Sequence, residues 1–246
     1  MIIGGGINIG NGIRIANDIV PSNYVLTGLQ MFWDIGNLGS YPGSGTVIND
    51  LSGNNNIGTI SGATYAAGGL TTGSNKYIYT PTTFNLGNSW TVSVVSNTSL
   101  TQPQYWATMW GDEAWGGNGY LAYQSSSSSI TFGSPTGATT WSTTQANIQG
   151  SNTVWDFVFD GTGQTIKLYK NGVATPVASG TMISGSQSTY GIFFGARHVN
   201  GGGPTPTDFS ATTFYQMRVY NRALNTTEVA SNYSAVKAQY STLSLP

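Results

Sequence analysis

One run in the middle of the chain limits the fold more than any other. Val154-Trp155-Asp156-Phe157-Val158-Phe159 passes through Asp160-Gly161-Thr162-Gly163 into Thr165-Ile166-Lys167-Leu168-Tyr169-Lys170, and Asn171-Gly172 then turns the chain into Val173 to Val177. Turns this short join antiparallel neighbours only, because parallel strands need a crossover of a dozen or more residues. Three consecutive strands are therefore expected as an antiparallel meander, which disfavours parallel α/β folds. Similar runs punctuated by turn residues occur at Leu29 to Asp34, Lys76 to Thr80, Trp90 to Ser96, Tyr105 to Trp110, Gly119 to Tyr123, Ser129 to Gly133, Tyr190 to Gly195 and Thr213 to Tyr220. With 34 glycines and no cysteine, the chain reads as all-β with many tight turns, without disulfides or Cys-ligated zinc.

A helix is expected near the C-terminus. Asn225 is a good N-cap with Glu228 at the third helical position, and Leu224 and Val229 can close a hydrophobic staple over that capping box. Val229, Tyr233, Val236 and Tyr240 follow at intervals of four, three and four, giving one apolar stripe toward a sheet and a helix that ends near Gln239.

The 246 residues suffice for one large all-β domain. Only 7% are charged, with 8 Lys+Arg against 9 Asp+Glu, so a nucleic-acid footprint has almost no material to be built from. The 12% aromatic content supplies a sizeable core. A surface so poor in charge is weakly protected against self-association, which points to homo-oligomerisation or to edges covered by partners. No segment approaches the roughly 18 apolar residues of a membrane span. Met1 to Ile15 lacks a basic region followed by an unbroken apolar stretch, so no signal peptide is expected, and release by lysis fits.

Residues 1–24 form a separate regime. Gly10-Asn11-Gly12 between Ile7-Asn8-Ile9 and Ile13-Arg14-Ile15 reads as a small hairpin with Ile7, Ile9, Ile13 and Ile15 on one face. A lone ribbon is marginal in water, so these isoleucines need a surface, either the chain's own body or a partner on which the segment docks as an arm.

Several separated motifs carry a family resemblance. Gly28-Leu29-Gln30-Met31-Phe32-Trp33-Asp34-Ile35-Gly36-Asn37 opens it, followed by Ser40-Tyr41-Pro42-Gly43-Ser44-Gly45-Thr46 and by Asp50-Leu51-Ser52-Gly53-Asn54-Asn55-Asn56 with Gly58. Lys167 to Gly172, Phe194-Gly195-Ala196-Arg197, and Arg218-Val219-Tyr220-Asn221-Arg222-Ala223-Leu224 with Glu228 and Asn232-Tyr233 follow in the same order. Together they resemble the laminin-G-like, or concanavalin-A-like, jelly-roll domains common in phage structural proteins, over about residues 28–240. The resemblance implies an antiparallel β-sandwich jelly roll with one C-terminal α-helix, assigned to residues 25–246, and the hairpin read above leaves residues 1–24 as a β-hairpin docking arm before it.

Within that frame, alternation places Tyr215, Met217 and Val219 on one face of the closing strand and Phe214, Gln216, Arg218 and Tyr220 on the other, as in a sheet covered on one side. Arg222 is expected to clamp backbone carbonyls or an acid such as Asp34 or Asp50. The oxygens of Asp50, Asn54 and Asn56 suit either an Asx-type turn or a hard cation such as Ca²⁺, the turn being favoured and no other cofactor being expected.

The family also hosts glucanases, which need two carboxyls facing across a sugar. The chain has two glutamates: Glu228 belongs to the capping box, and Glu113 adjoins Asp112, where neighbouring strand positions face opposite ways. His198 stands without a nucleophile motif or second ligand. The chain therefore reads as non-enzymatic. The sugar-binding candidate is Trp110, Asp112, Glu113, Trp115 and Asn118, tryptophans beside fixed acids and an amide, with strand packing as the alternative for Trp106 and Trp110 and with Trp141 and Tyr41 as weaker candidates. The resemblance and the arm together imply a phage virion structural protein, a head decoration or fibre protein partnered by other virion proteins. The alternative is a tail-associated or free carbohydrate-binding adhesin recognising host surface glycans.

Overall fold

Short turns and alternating strands give two antiparallel sheets packed face to face. The computed structural model describes residues 8–9, 13–14, 23–81, 86–98, 107–112, 120–126, 129–133, 140–144, 150–181, 191–198, 206–207 and 209–246; for 8–14, 107–144, 197–198 and 206–207 the description is of backbone alone. The first sheet runs in the order β13 (Thr140–Thr144), β12 (Ser129–Gly133), β11 (Tyr120–Ser126), β10 (Ala107–Asp112), β17 (Phe193–Phe194), β8 (Tyr77–Tyr79), β5 (Gly58–Ser61), β4 (Val47–Ile48). The second runs β16 (Ala178–Thr181), β15 (Thr165–Lys170), β14 (Asn152–Asp160), β9 (Trp90–Thr98), β20 (Thr212–Tyr220), β7 (Gly69–Thr71), β6 (Thr64–Ala66), with β3 (Leu29–Asp34) paired to β20 beyond the end of β7. Two small ribbons, β1 (Asn8–Ile9) with β2 (Ile13–Arg14) and β18 (Arg197–His198) with β19 (Pro206–Thr207), complete the described strands. All these strand pairs are antiparallel. The β-sandwich jelly roll inferred from the sequence is the observed architecture.

Period-two alternation fills the space between the sheets. Ile48, Ile60, Ile78 and Phe194 enter it from the first sheet, and Trp33, Leu70, Val92, Val94, Trp155, Phe157, Ile166, Leu168, Met217 and Val219 from the second. Gly58 is required here because a Cβ would stand 2.7 Å from the Trp33 ring, whose indole N–H donates to the Asn56 carbonyl at 2.8 Å.

The outer face of the second sheet is covered over its central strands, contrary to the expectation of cover on one side. Helix α1 (Thr226–Gln239) lies on it and buries a second core of Tyr24, Phe32, Val95, Val154, Tyr220, Val229, Val236 and Tyr240. A β-bulge where Phe214 and Gln216 oppose Ser96 and Val95 also breaks the alternation expected for β20. Phe214 therefore joins Met217 and Val219 in the inner core, while Tyr215 packs on the helix side. Gln216, Arg218 and Tyr220 are sealed beneath the helix layer.

Strand pairing sets one polar row across that covered face: Phe32 of β3, Arg218 of β20, Ser93 of β9, Asp156 of β14 and Tyr169 of β15. All five are buried. The Ser93 hydroxyl donates to Asp156 Oδ1, and the Arg218 guanidinium stacks over the Tyr24 ring at 5.0 Å. Burial pushes the Asp156 carboxyl above its ordinary range, a shift opposed by the charge of Arg218 and by the Ser93 hydrogen bond.

The helix is held by polar contacts at both ends. Asn225 Oδ1 accepts from the Glu228 N–H at 3.0 Å and Glu228 Oε2 accepts from the Asn225 N–H at 2.9 Å, forming the expected capping box. Arg222 grips Glu228 bidentately at 2.8 and 2.7 Å and donates to the Thr27 carbonyl at 2.8 Å, so its acid is Glu228 rather than Asp34 or Asp50. At the other end Asp34 accepts from the Tyr240 hydroxyl and the Gln239 amide. The buried face includes Asn232 and Ala235 as well as Val229 and Val236. Asn232 matters most, accepting from the Val25 N–H at 2.9 Å and donating to the Tyr220 hydroxyl at 3.1 Å.

Two boundaries differ from the sequence reading. Tyr24, assigned above to the arm, is a core residue, 4% exposed, whose hydroxyl donates to Gln239 at 2.7 Å and accepts from Gln216 at 3.0 Å. The run Val173 to Val177 is not a strand. Asn171 and Gly172 take the left-handed conformation of a tight hairpin turn, φ +53° and +66°, but Pro176 has no N–H to give a ladder, and pairing resumes at Ala178 opposite Leu168. Of the arm, β1 and β2 form the expected ribbon with Ile9 opposite Ile13, while Ile7 and Ile15 lie outside the described residues.

Two outcomes follow. Tyr24→Ala is expected to lower stability by about 3 kcal/mol in urea unfolding, because it removes a packed ring and uncovers Arg218, whereas deleting residues 1–22 leaves stability unchanged. The Arg222 hydrogen bonds hold the Glu228 carboxyl below its ordinary value, so its stabilisation is complete above the unfolded pKa of about 4.3 and is lost as pH falls through the lower folded value. Glu228→Gln should flatten that acid limb and cost about 0.5–1 kcal/mol at pH 7, partial exposure screening the pair.

Candidate functional site

With the central strands of the second sheet under the helix, the outward face of the first sheet presents an extended aromatic surface. In β8 the alternation Tyr77-Ile78-Tyr79 sends Ile78 into the core and leaves both tyrosines outward and half-buried. Tyr79 pairs with Phe193 of β17 and with Thr59 of β5, and Tyr77 pairs with Ser61. Phe193 and Tyr79 stack at 5.2 Å and 13°, Phe193 and Tyr77 at 5.9 Å and 30°, and Phe209 extends the group beside Tyr77 at 6.2 Å. The stack encloses Phe193, 2% exposed, and holds the tyrosines in place.

Neither Tyr77 nor Tyr79 uses its hydroxyl in a hydrogen bond among the described residues, and the partly exposed side chains of Thr59 and Ser61 stand beside them without one. The result is a fixed aromatic surface with four hydroxyls free to donate and accept. Sugar rings offer complementary chemistry, with apolar C–H groups for the rings and hydroxyls for the hydroxyls. Lys76 lies nearby, its ammonium directed to Thr64 Oγ1 at 3.2 Å.

The candidate strand read from the sequence adjoins this face. β10 pairs with β17 through Gly111 opposite Phe193, one strand away from Tyr79. In the pairing with β11, Trp110 stands opposite Ala122 and Asp112 opposite Tyr120, and a bulge between Thr108 and Trp110 breaks the shared parity expected there. Glu113, Trp115, Asn118 and Trp106 lie outside the described residues. Trp141 and His198 are placed by backbone alone, in β13 and β18. Tyr41 is no platform: it is 3% exposed, with its hydroxyl on the Gly45 carbonyl at 3.1 Å.

The Asp50 loop performs the work of a turn. Asp50 Oδ1 accepts from the N–H groups of Phe32 and Ser52 at 2.8 and 2.9 Å, and Oδ2 from the Ser52 hydroxyl and Asn56 N–H at 2.8 and 2.9 Å. Asn54 and Asn56 turn their amides to the Leu29 and Gln30 carbonyls at 2.9 and 2.7 Å. Among the described residues no group of three His, Asp or Glu side chains gathers to hold a metal.

The buried carboxyls do not make a hydrolytic pair. Asp34 and Asp156 lie under the helix layer, both raised above the ordinary carboxylate range first by burial, and their hydrogen bonds go to Tyr240, Gln239 and Ser93. Neither faces an opening in which a sugar could lie between two acids.

Residues 72–230 match the model of the concanavalin A-like lectin/glucanases superfamily, and the chain belongs to that family. Solved structures agree at the level of fold. The chain is similar to the sialidase of Trypanosoma rangeli in complex with sialic acid (TM-score 0.64, 15% identity, 87% of this chain and 33% of that one). It is similar to the binding domain of Paraclostridial Mosquitocidal Protein 1 (TM-score 0.61, 14% identity, 85% and 52%) and to the binding domain of botulinum neurotoxin serotype G (TM-score 0.61, 13% identity, 85% and 51%). It thus spans about a third of the sialidase and half of each toxin domain. No curated protein matches the chain in sequence.

Proposed function

We propose that the chain is a non-catalytic carbohydrate-binding domain that takes glycans on the outward face of its first sheet. The observation that carries this reading is the Tyr77–Tyr79–Phe193–Phe209 surface with its unused hydroxyls, set in a fold shared with lectins. Two toxin binding domains share the fold, which suits a binding role. Pairing with Phe193 puts Gly111 on the aromatic face and its neighbours Trp110 and Asp112 on the other, so of the residues singled out in the sequence Glu113, Trp115 and Asn118 remain in this proposal as a flank.

We further propose that residues 1–22 carry this domain on a phage particle, as a head decoration or fibre protein or as a tail-associated adhesin, with other virion proteins and further copies of itself as partners. Supporting this, the segment joins the body at Tyr24 and Val25, which are tied to the helix on the second sheet. An arm docked from there would leave the aromatic face directed away from the particle.

A glycan array probed with the full chain is expected to give a defined set of hits, reduced at least about tenfold by Tyr77→Ala and by Tyr79→Ala. Deleting residues 1–22 should abolish particle attachment and leave those hits unchanged. Hits indifferent to both tyrosines but lost in Trp115→Ala would move the site to the flank. No hit on any glycan would overturn the carbohydrate reading.

A further inference from the structure

Helix α1 does not cover the whole outer face of the second sheet. Beyond its N-terminus, where β14 and β15 run past residues 223–226, a cleft of about 310 Å³ opens between Val158, Asp160, Thr165, Lys167, Tyr169 and Leu224. Its volume lies at the lower end of small-molecule sites, which begin at about 300 Å³, so it suits one ring rather than a chain.

The floor is apolar. Val158 and Leu224 are each 3% exposed and the Tyr169 side chain 1%. The Tyr169 ring is buried, but its hydroxyl opens to the cleft and has no hydrogen-bond partner among the described residues. Lys167, next to Tyr169 on the same face of β15, is exposed, and its ammonium makes neither an ion pair nor a hydrogen bond among the described residues. One acid lines the cleft as well, Asp160, whose Oδ1 accepts from the Thr162 N–H at 3.0 Å within the turn. Glu228 in the first helical turn is neutralised by Arg222, which leaves the positive end of a 14-residue helix dipole beside Lys167.

We propose that this cleft is a second ligand site, for a small polyhydroxylated carboxylate of the sugar-acid class. The Lys167 ammonium and the Tyr169 hydroxyl take the carboxylate, Val158 and Leu224 carry the carbon skeleton, and Thr165 and Asn225 on the rim meet the hydroxyls. The site is independent of the aromatic face, which belongs to the other sheet.

The test is a titration of the ¹⁵N-labelled full chain with D-glucuronate, with D-glucose as the neutral control. Saturable shifts confined to residues 158–169 and 223–226 are expected with glucuronate and not with glucose. Lys167→Met and Tyr169→Phe should each weaken binding at least about tenfold. Tyr169→Phe should leave the unfolding midpoint unchanged because its hydroxyl bonds nothing in the protein, and Tyr79→Ala should leave glucuronate binding unchanged. An equal response to glucose, shifts elsewhere or none, or affinity indifferent to both cleft variants would overturn the proposal.

Discussion

Arg218 and Asp156, buried on the second sheet with Ser93 between them, form the constraint on which the remaining structure depends. An ion removed from water costs several kcal/mol unless its surroundings compensate, and neither the guanidinium nitrogens of Arg218 nor Asp156 Oδ2 makes a hydrogen bond among the described residues. Here compensation comes from Ser93 on the neighbouring strand, from the Tyr24 ring over the guanidinium, and from the helix layer that excludes water. Each contributor sits in a different part of the sequence. The central pairing of β9 with β20 and the docking of α1 are therefore one arrangement: slipping either strand by one residue would turn a charge into the inner apolar core.

Closing that face gives the two sheets different roles. The second sheet carries cores on both sides and a helix latched through Asp34, Asn232 and Tyr240. The first sheet has its inner side in the core, and on its outward side the described residues offer aromatic rings held by one another and hydroxyls without internal partners. A stacked aromatic group on a strand framework changes little on contact with a ligand, so little ordering cost falls on binding.

Much of the fold was legible because it is local. Leu29 to Asp34, Ser129 to Gly133 and Thr165 to Lys170 were bounded by turn residues and emerged with the expected limits. The Asn225 capping box was equally readable, since its residues lie within four positions. What escaped depends on distant partners. The bulge in β20 has no signature in its own residues, and it reassigned Phe214 and Tyr215 between the two cores. Tyr24 looked like part of the arm because the helix and Gln216 that bury it come some two hundred positions later. The aromatic face was half visible: Tyr77-Ile78-Tyr79 announces two outward rings, but only the pairing of β8 with β17 brings Phe193 between them. Attention to tryptophan density led instead to the next strand of the same sheet, β10.

The most direct test of the central claim is a crystal structure of the full chain bound to its best array glycan. The account requires the sugar to lie on the outward face of the first sheet, with a ring against Tyr77 or Tyr79 and hydroxyls on Thr59 or Ser61. A sugar seated anywhere else, with that face untouched, would contradict it.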